Sequence, residues 1–101
     1  MSNPQPDTGR PAVLHLNGDV DFFTEDEFRA EAERLLDDDG IDRLIVDLTD
    51  VGLMDSSGLS LLVDLLRLCR DMELPMTLRG VPDHVVQLLD LTGLDQVIAV
   101  E

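Results

Sequence analysis

The fold of this chain is decided by residues 44–59, which read LIVDLTDVGLMDSSGL. The first five residues have the apolar pattern of a β-strand, and a long apolar helix pattern begins directly after the stretch. Asp55, Ser56 and Ser57 therefore stand at the start of a helix, where unpaired backbone N–H groups and the positive end of the helix dipole meet. A serine hydroxyl in this place either caps the helix or carries a phosphoryl group that the same N–H groups stabilise. These residues alone leave both interpretations open.

The composition indicates one small domain with an aliphatic core. The chain has 101 residues, of which 44% are hydrophobic, and this is enough for a single core. It contains three phenylalanines and no tryptophan or tyrosine, so leucine, valine and isoleucine have to fill that core. Residues 1–11 are polar and rich in proline, which predicts a disordered lead-in before a domain at residues 12–101.

The net charge of −15 excludes several kinds of partner. A chain this acidic is repelled by a nucleic-acid backbone and by an anionic membrane surface. The same charge steers basic proteins towards it and favours solubility. We therefore expect protein partners, with no direct contact to nucleic acid and no membrane insertion.

The single cysteine and the lack of long apolar stretches exclude further classes. Cys69 rules out an internal disulfide and a multi-cysteine zinc site, and its place in an apolar helix pattern predicts a buried small side chain. Residues 1–11 lack the apolar region of a signal peptide, and no stretch is long and apolar enough to span a bilayer. We therefore expect a cytoplasmic protein, and the sequence predicts neither a metal site nor a cofactor.

Apolar periodicity predicts four strands that alternate with three helices. Residues 49–56 form the predicted loop before the second helix. This order favours an α/β fold with right-handed crossovers. The strands alternate apolar and polar residues, so helices are expected mainly on one face of the sheet, with a more polar second face. The predicted strands are residues 12–16, 43–48, 76–79 and 96–100, and the predicted helices are residues 24–36, 57–71 and 82–90.

The first predicted helix has a recognisable start. Thr24 is the expected N-cap, and Glu27 follows three residues later, which is the spacing of a capping box. Acidic residues fill the next positions, where the helix dipole favours them. Residues 37–40, Asp-Asp-Asp-Gly, are expected to end this helix.

The second predicted helix carries two apolar stripes, although a helix on one sheet needs only one. The stripe expected to face the core consists of Leu59, Leu62, Val63, Leu66 and Cys69. The second stripe consists of Leu61, Leu65, Leu68 and Met72, and either a neighbouring helix covers it or a partner binds it. Ser57 lies one turn before Leu61, so a phosphoryl group there would place about two negative charges beside this second stripe.

A hydrolytic enzyme is not predicted. Ser57, His84 and an aspartate would be needed as a triad, but nothing in the sequence brings them together. The chain also lacks the G-x-S-x-G elbow that exposes a nucleophilic serine in such enzymes. His84 is expected in the first turn of the third helix, and His15 on the polar face of the sheet.

Several landmarks, taken in order, resemble the STAS domain of bacterial anti-sigma-factor antagonists. Residues 18–21 resemble the family's Gly-x-Leu-Asp turn, with Val20 in place of the leucine. Residues 46–48 and 54–59 resemble the strand and the phosphorylation loop, and residues 91–94 the Thr-Gly-Leu step before the last strand. The resemblance covers residues 12–101 and implies an α/β fold with a STAS-like mixed four-stranded sheet and helices mainly on one face.

The resemblance implies that the protein is a partner switch. The unphosphorylated form would bind an anti-sigma-factor serine kinase of the GHKL type and release a sigma factor. Phosphorylation of Ser57 would end this binding, and a phosphatase of the PP2C type would restore it. Asp55 would orient Ser57, Ser56 would be a cap or a hydrogen-bonding residue of the loop, and Gly58 would let a partner backbone approach closely. The expected partner-binding residues are Asp21, Asp55, Ser56, Gly58, Leu61, Leu65 and Leu68.

The chain departs from the family pattern at both ends. An extra first strand is usual before Ala12, and a further helix is usual after the last strand, whereas this chain ends at Glu101. The lack of that helix would expose apolar surface and favour a homodimer. The departures leave an alternative function open, which is a STAS interaction module without phosphorylation, such as a lipid-transport subunit or a stress-signalling scaffold.

Overall fold

The computed structural model describes residues 9–101 as an α/β fold. The predicted order of four strands and three helices is confirmed, with a short 3-10 helix before the last strand. Residues 1–8 of the predicted lead-in lie outside the described part, but Arg10 and Pro11 already belong to the first strand. The elements are β1 (Arg10–Val20), α1 (Glu25–Leu36), β2 (Ile41–Met54), α2 (Ser56–Asp71), β3 (Met76–Arg79), α3 (Asp83–Thr92), the 3-10 helix (Leu94–Gln96) and β4 (Ala99–Val100).

The four strands form one sheet in the order β1-β2-β3-β4. Every neighbouring pair is parallel, so the mixed sheet expected from the resemblance is wrong for residues 9–101. The reason is that each connection between strands contains a helix, which returns the chain to the same end of the sheet. With right-handed crossovers, a strand order that follows the chain puts all three helices on one face.

One apolar core lies between that face and the helices. The strand residues predicted to point one way are all buried in it, and each helix adds at least two buried side chains. On the opposite face, His15 is exposed and its Nδ1 lies 3.6 Å from Asp47 Oδ2, as expected for a polar second face. The strand side chains in the core include Ala12, Leu14, Leu16, Leu44, Val46, Leu48, Met76 and Leu78.

Strand β2 is longer than predicted and takes up most of the expected loop. Residues 49–54 continue the strand, because β1 pairs with them as far as Val20 opposite Met54. Val51 and Met54 are buried in the core, which gives this extension an apolar side. The connection to α2 is therefore Asp55 alone.

The end of the chain contains more helix and a shorter last strand than predicted. Helix α3 runs on to Thr92, and Gly93 ends it in a left-handed conformation with φ of 77°. Residues 94–96 form the 3-10 helix, so the last strand contains two residues rather than the predicted five. His84 lies exposed in the first turn of α3, as expected. Within residues 9–101, no helix has the length and apolarity needed to cross a membrane.

The thiol of Cys69 is expected to be unreactive while the protein is folded. The side chain is fully buried in α2, as predicted, and burial raises the pKa of this thiol to about 11. At pH 8 the thiolate that attacks disulfide reagents is therefore scarce and shielded. We expect slow reaction with Ellman's reagent in buffer and rapid, complete reaction in denaturing urea. Equal rates in the two conditions would contradict this assignment.

Candidate functional site

The start of α2 is capped by Asp55. Its side-chain Oδ1 accepts hydrogen bonds from the backbone N–H of Ser57 at 2.8 Å and of Gly58 at 3.3 Å. The extended backbone of Asp55 is typical of an N-cap residue. The expectation that Ser56 is the cap is therefore wrong: Ser56 is the first residue of the helix and is exposed.

Ser57 lies one position further into the helix and is half-buried. Among residues 9–101, no group makes a hydrogen bond with its hydroxyl. Since Asp55 already occupies the capping position, the fold does not need this hydroxyl as a cap. The structure therefore gives the Ser57 hydroxyl no part in capping α2.

Packing requires a glycine at position 58, and the sequence did not indicate this. A Cβ atom at this position would lie 2.8 Å from the backbone oxygen of Val20 and 2.4 Å from Cγ of Met54. The glycine is buried against the ends of β1 and β2. The expectation that Gly58 gives a partner backbone close access is therefore wrong, because the protein's own chain fills that space.

The turn after β1 lies directly beside the start of α2. The backbone N–H of Asp55 donates to the backbone oxygen of Val20 at 3.3 Å. The backbone N–H of Leu53 donates to Asp19 Oδ1 at 3.1 Å. These bonds join the end of β1 to the end of β2 and to Asp55 at the carboxyl edge of the sheet, so the turn around Asp21 lies near Ser57, as the resemblance implied.

Asp21 shapes this turn. Its half-buried Oδ1 accepts hydrogen bonds from the backbone N–H of Phe23 at 2.9 Å and of Thr24 at 3.2 Å. Thr24 precedes α1, as predicted, but the capping box with Glu27 is wrong. The Thr24 hydroxyl instead donates to the backbone oxygen of Asp19 at 2.9 Å and accepts from the N–H of Asp21 at 3.0 Å. Asp21 thus acts on the shape of the turn.

Three large apolar side chains at this edge are exposed, and none of them belongs to the predicted partner-binding residues. The exposed fractions are 69% for Phe22, 85% for Phe23 and 67% for Leu53. We call these three side chains the apolar edge patch. A signal was present in the sequence, because two of the chain's three phenylalanines stand together in a turn, outside any amphipathic pattern.

A shallow notch of about 250 Å³ opens beside Leu53. Three carboxylates line it, and no basic side chain contributes to its wall. The complete lining is Asp19, Asp21, Leu53, Met54 and Asp55. The notch is therefore an electronegative feature at the border of the apolar edge patch.

Two of the four residues in the predicted second stripe of α2 are buried in the core. Leu61 and Leu65 are 0% and 1% exposed and lie in the core, and Leu68 is half-buried. Helix α1 packs beside α2, with Arg29 donating to Asp64 Oδ2 at 2.8 Å. The assignment of Leu61 and Leu65 to partner binding is therefore wrong, because both side chains belong to the core, whereas Met72 of the same stripe is 42% exposed. Leu59, Val63 and Leu66, expected in the core, are half-buried.

The chain is similar to known proteins in both sequence and fold. A family model for the STAS domain matches residues 4–101. An anti-sigma-B factor antagonist of Listeria monocytogenes is 31% identical over 88 residues, covering 87% of this chain and 76% of that protein. The structure of the anti-sigma factor antagonist SpoIIAA in its unphosphorylated form has a TM-score of 0.75 at 20% identity, covering 96% of this chain and 84% of that one.

A transporter domain has the same fold. The STAS domain of a SulP transporter from Vibrio cholerae superimposes with a TM-score of 0.70 at 21% identity, covering 95% of this chain and 72% of that one. At such identities the two solved structures establish the fold alone. The family model and the bacterial relative carry the assignment of the chain to a family.

Proposed function

The chain belongs to the STAS domain family, and we propose that it is an anti-sigma-factor antagonist controlled by phosphorylation of Ser57. The observation that carries this proposal is the arrangement at the start of α2. Asp55 caps the helix, and the Ser57 hydroxyl beside it has no hydrogen-bond partner within residues 9–101. The name of the Listeria relative, an anti-sigma-B factor antagonist, supports the same function.

In the proposed cycle, the unphosphorylated protein binds an anti-sigma-factor kinase of the GHKL type, and the sigma factor is released. The Ser57 Oγ then attacks the γ-phosphorus of ATP. A bond forms between these atoms, the bond to the β–γ bridging oxygen breaks, and ADP leaves. The hydroxyl proton passes to a base on the kinase. A PP2C-type phosphatase hydrolyses the phosphoserine and regenerates the starting form.

Charge and size both explain why phosphorylation would end binding. A phosphoserine carries about −1.5 to −2 charges at pH 7. Asp55 lies beside it, and the first turn of α2 contains no basic side chain to neutralise it. A kinase that modifies Ser57 also holds nucleotide phosphates opposite this residue. The new phosphate is therefore repelled by Asp55 and by the nucleotide phosphates. It also has to fit into the interface between the two proteins.

Phosphorylation of Ser57 can be tested with purified components. The wild-type protein, Ser57→Ala and Ser56→Ala are incubated with ATP and each GHKL-type serine kinase of the native host, and intact masses are measured. We expect one added phosphoryl group on wild type and on Ser56→Ala, and none on Ser57→Ala. Phosphorylated wild type should bind its kinase on the order of 100-fold more weakly than the unmodified protein.

The opposite results would favour an interaction module without a switch. In that case no kinase would modify Ser57, and Ser57→Ala would bind the same partners under every condition. Protein isolated from resting and stressed cells provides a second test, because the proposed cycle requires the phosphorylated fraction to change. A constant, unmodified mass in both states would overturn the proposal.

A further inference from the structure

We propose that the apolar edge patch, made of Phe22, Phe23 and Leu53, is the docking surface for a protein partner with an apolar pocket bordered by basic side chains. The inference rests on the proposed function in taking this partner to be the kinase that modifies Ser57. It goes further because it names the side chains that anchor the partner and the chemistry that they require of it.

The exposure of the patch is the first argument. The chain has a small aliphatic core, yet two of its three phenylalanines stay in water while Phe28 packs against that core. Exposed aromatic side chains that lie close together are typical anchors of protein–protein contacts. The turn is held by hydrogen bonds of Asp21 and Thr24, and these bonds do not involve either phenylalanine ring.

The rigidity of the turn is the second argument. The hydrogen bond from the N–H of Phe23 to Asp21 Oδ1 fixes the backbone that carries both rings. The two rings meet edge to face, with centroids 5.6 Å apart and planes at 78°. A surface that is already ordered loses little conformational freedom when a partner binds. The backbone that carries the two phenylalanines is thus already ordered before a partner binds.

The negative charge around the patch decides which kind of partner fits. Carboxylates of Asp19, Asp21 and Asp55 line the notch beside Leu53, without a basic side chain among them. The whole chain has a net charge of −15, so a second copy would be repelled at this edge. A partner with basic side chains around its apolar pocket gains from both features. We therefore take the occupant to be a different, basic-rimmed protein.

The position of the patch connects it with the switch. Leu53 is two residues before Asp55, and the turn that carries Phe22 is bonded to Asp55 through the oxygen of Val20. A partner seated on the patch therefore reaches the start of α2. The basic side chains of the partner would contact the carboxylates of the notch, whereas its bound nucleotide would face Ser57. The partner is therefore attracted by the carboxylates, and its nucleotide repels the phosphoserine at a separate place.

Photo-crosslinking in the native host is the first test. A photoreactive phenylalanine analogue replaces Phe23 in one strain and the exposed Leu91 in a control strain. We expect one major adduct from position 23, formed with a different protein, and its absence from position 91. An adduct with a second copy alone, or no adduct from position 23, would overturn the proposal.

Binding of the crosslinked protein, purified and measured by calorimetry, is the second test. Replacing Phe22 and Phe23 together by alanine should weaken binding on the order of 100-fold, whereas Leu91→Ala should leave it unchanged. Affinity should also fall with added salt, since basic side chains contribute. Unaltered melting temperatures would show that both variants are folded. Equal affinities of wild type and the double variant would overturn the proposal.

The two proposals can fail separately. If the double phenylalanine variant loses binding but no kinase modifies Ser57, the docking surface stands and the phosphorylation switch does not. If the kinase phosphorylates Ser57 of the double variant and then releases this protein as it releases wild type, the switch stands and the docking surface does not.

Discussion

Replacing Leu61 by alanine is expected to lower the free energy of unfolding by about 2–5 kcal/mol, because the substitution leaves a cavity in a well-packed core. The side chain is fully buried in the apolar core between the sheet and the helices. A loss of this size is a large part of the total stability of a small domain, which is ~5–15 kcal/mol. Urea unfolding followed by circular dichroism measures the change.

Leu91→Ala is the matched control, since it removes the same atoms from a side chain that is 82% exposed. We expect a change within about 0.5 kcal/mol for this control. If Leu61→Ala unfolded like wild type but failed to bind partners, Leu61 would belong to a docking surface after all. The pair of variants therefore separates the core assignment from the assignment made from sequence.

Replacing Gly58 by alanine is expected to destabilise the protein by about 1–3 kcal/mol, as overpacking does in other cores. The new methyl group would lie 2.8 Å from the backbone oxygen of Val20, which cannot move away as a flexible side chain could. Alanine is the better helix former by about 1 kcal/mol, so the clash has to exceed that gain. The measurement is again the free energy of unfolding in urea.

Gly52→Ala provides the comparison for this second variant. A Cβ atom at Gly52 would approach Oδ1 of Asp19 at 2.9 Å, which is the end of a side chain rather than backbone. We expect Gly52→Ala to be clearly less harmful than Gly58→Ala. Equal stability of Gly58→Ala and wild type would mean that the ends of β1 and β2 yield easily, contrary to the packing described above.

The faces of the strands could be predicted from the sequence because their pattern is local. Leu44, Val46 and Leu48 alternate with other residues, and an alternation of two assigns each side chain to one face. All three are buried in the core, as expected. The extension of β2 to Met54 could not be predicted in this way, because it depends on pairing with a distant strand.

The location of the candidate site could be predicted from the sequence, but the roles of several of its residues could not. The sequence located the start of α2 and the nearby turn, because capping residues and strand ends leave local signals. It did not distinguish Asp55 from Ser56 as the cap, since both residue types favour that position. The burial of Leu61 and Leu65 was not predicted, because a helix with apolar residues on two sides does not reveal which side lies in the core.

The exposed phenylalanines were overlooked for another reason. Helices and strands are predicted from apolar residues that repeat with a fixed period. Phe22 and Phe23 lie in a turn, so they are not part of such a repeat. Their exposure becomes visible only when the turn is seen to be held by Asp21 and Thr24, with both rings outside it. Apolar residues in a polar turn are therefore a signal of function that periodicity misses.

The strand order β1-β2-β3-β4 has a consequence for how the chain folds during its synthesis. Each new strand pairs with the strand made immediately before it, so no segment has to wait for a partner that the ribosome has not yet produced. The long pair β1 and β2, with α1 between them, can form a first folded unit, since domains generally fold from the amino terminus as they emerge. Later units then add at one growing edge of the sheet, and the two-residue β4 completes it.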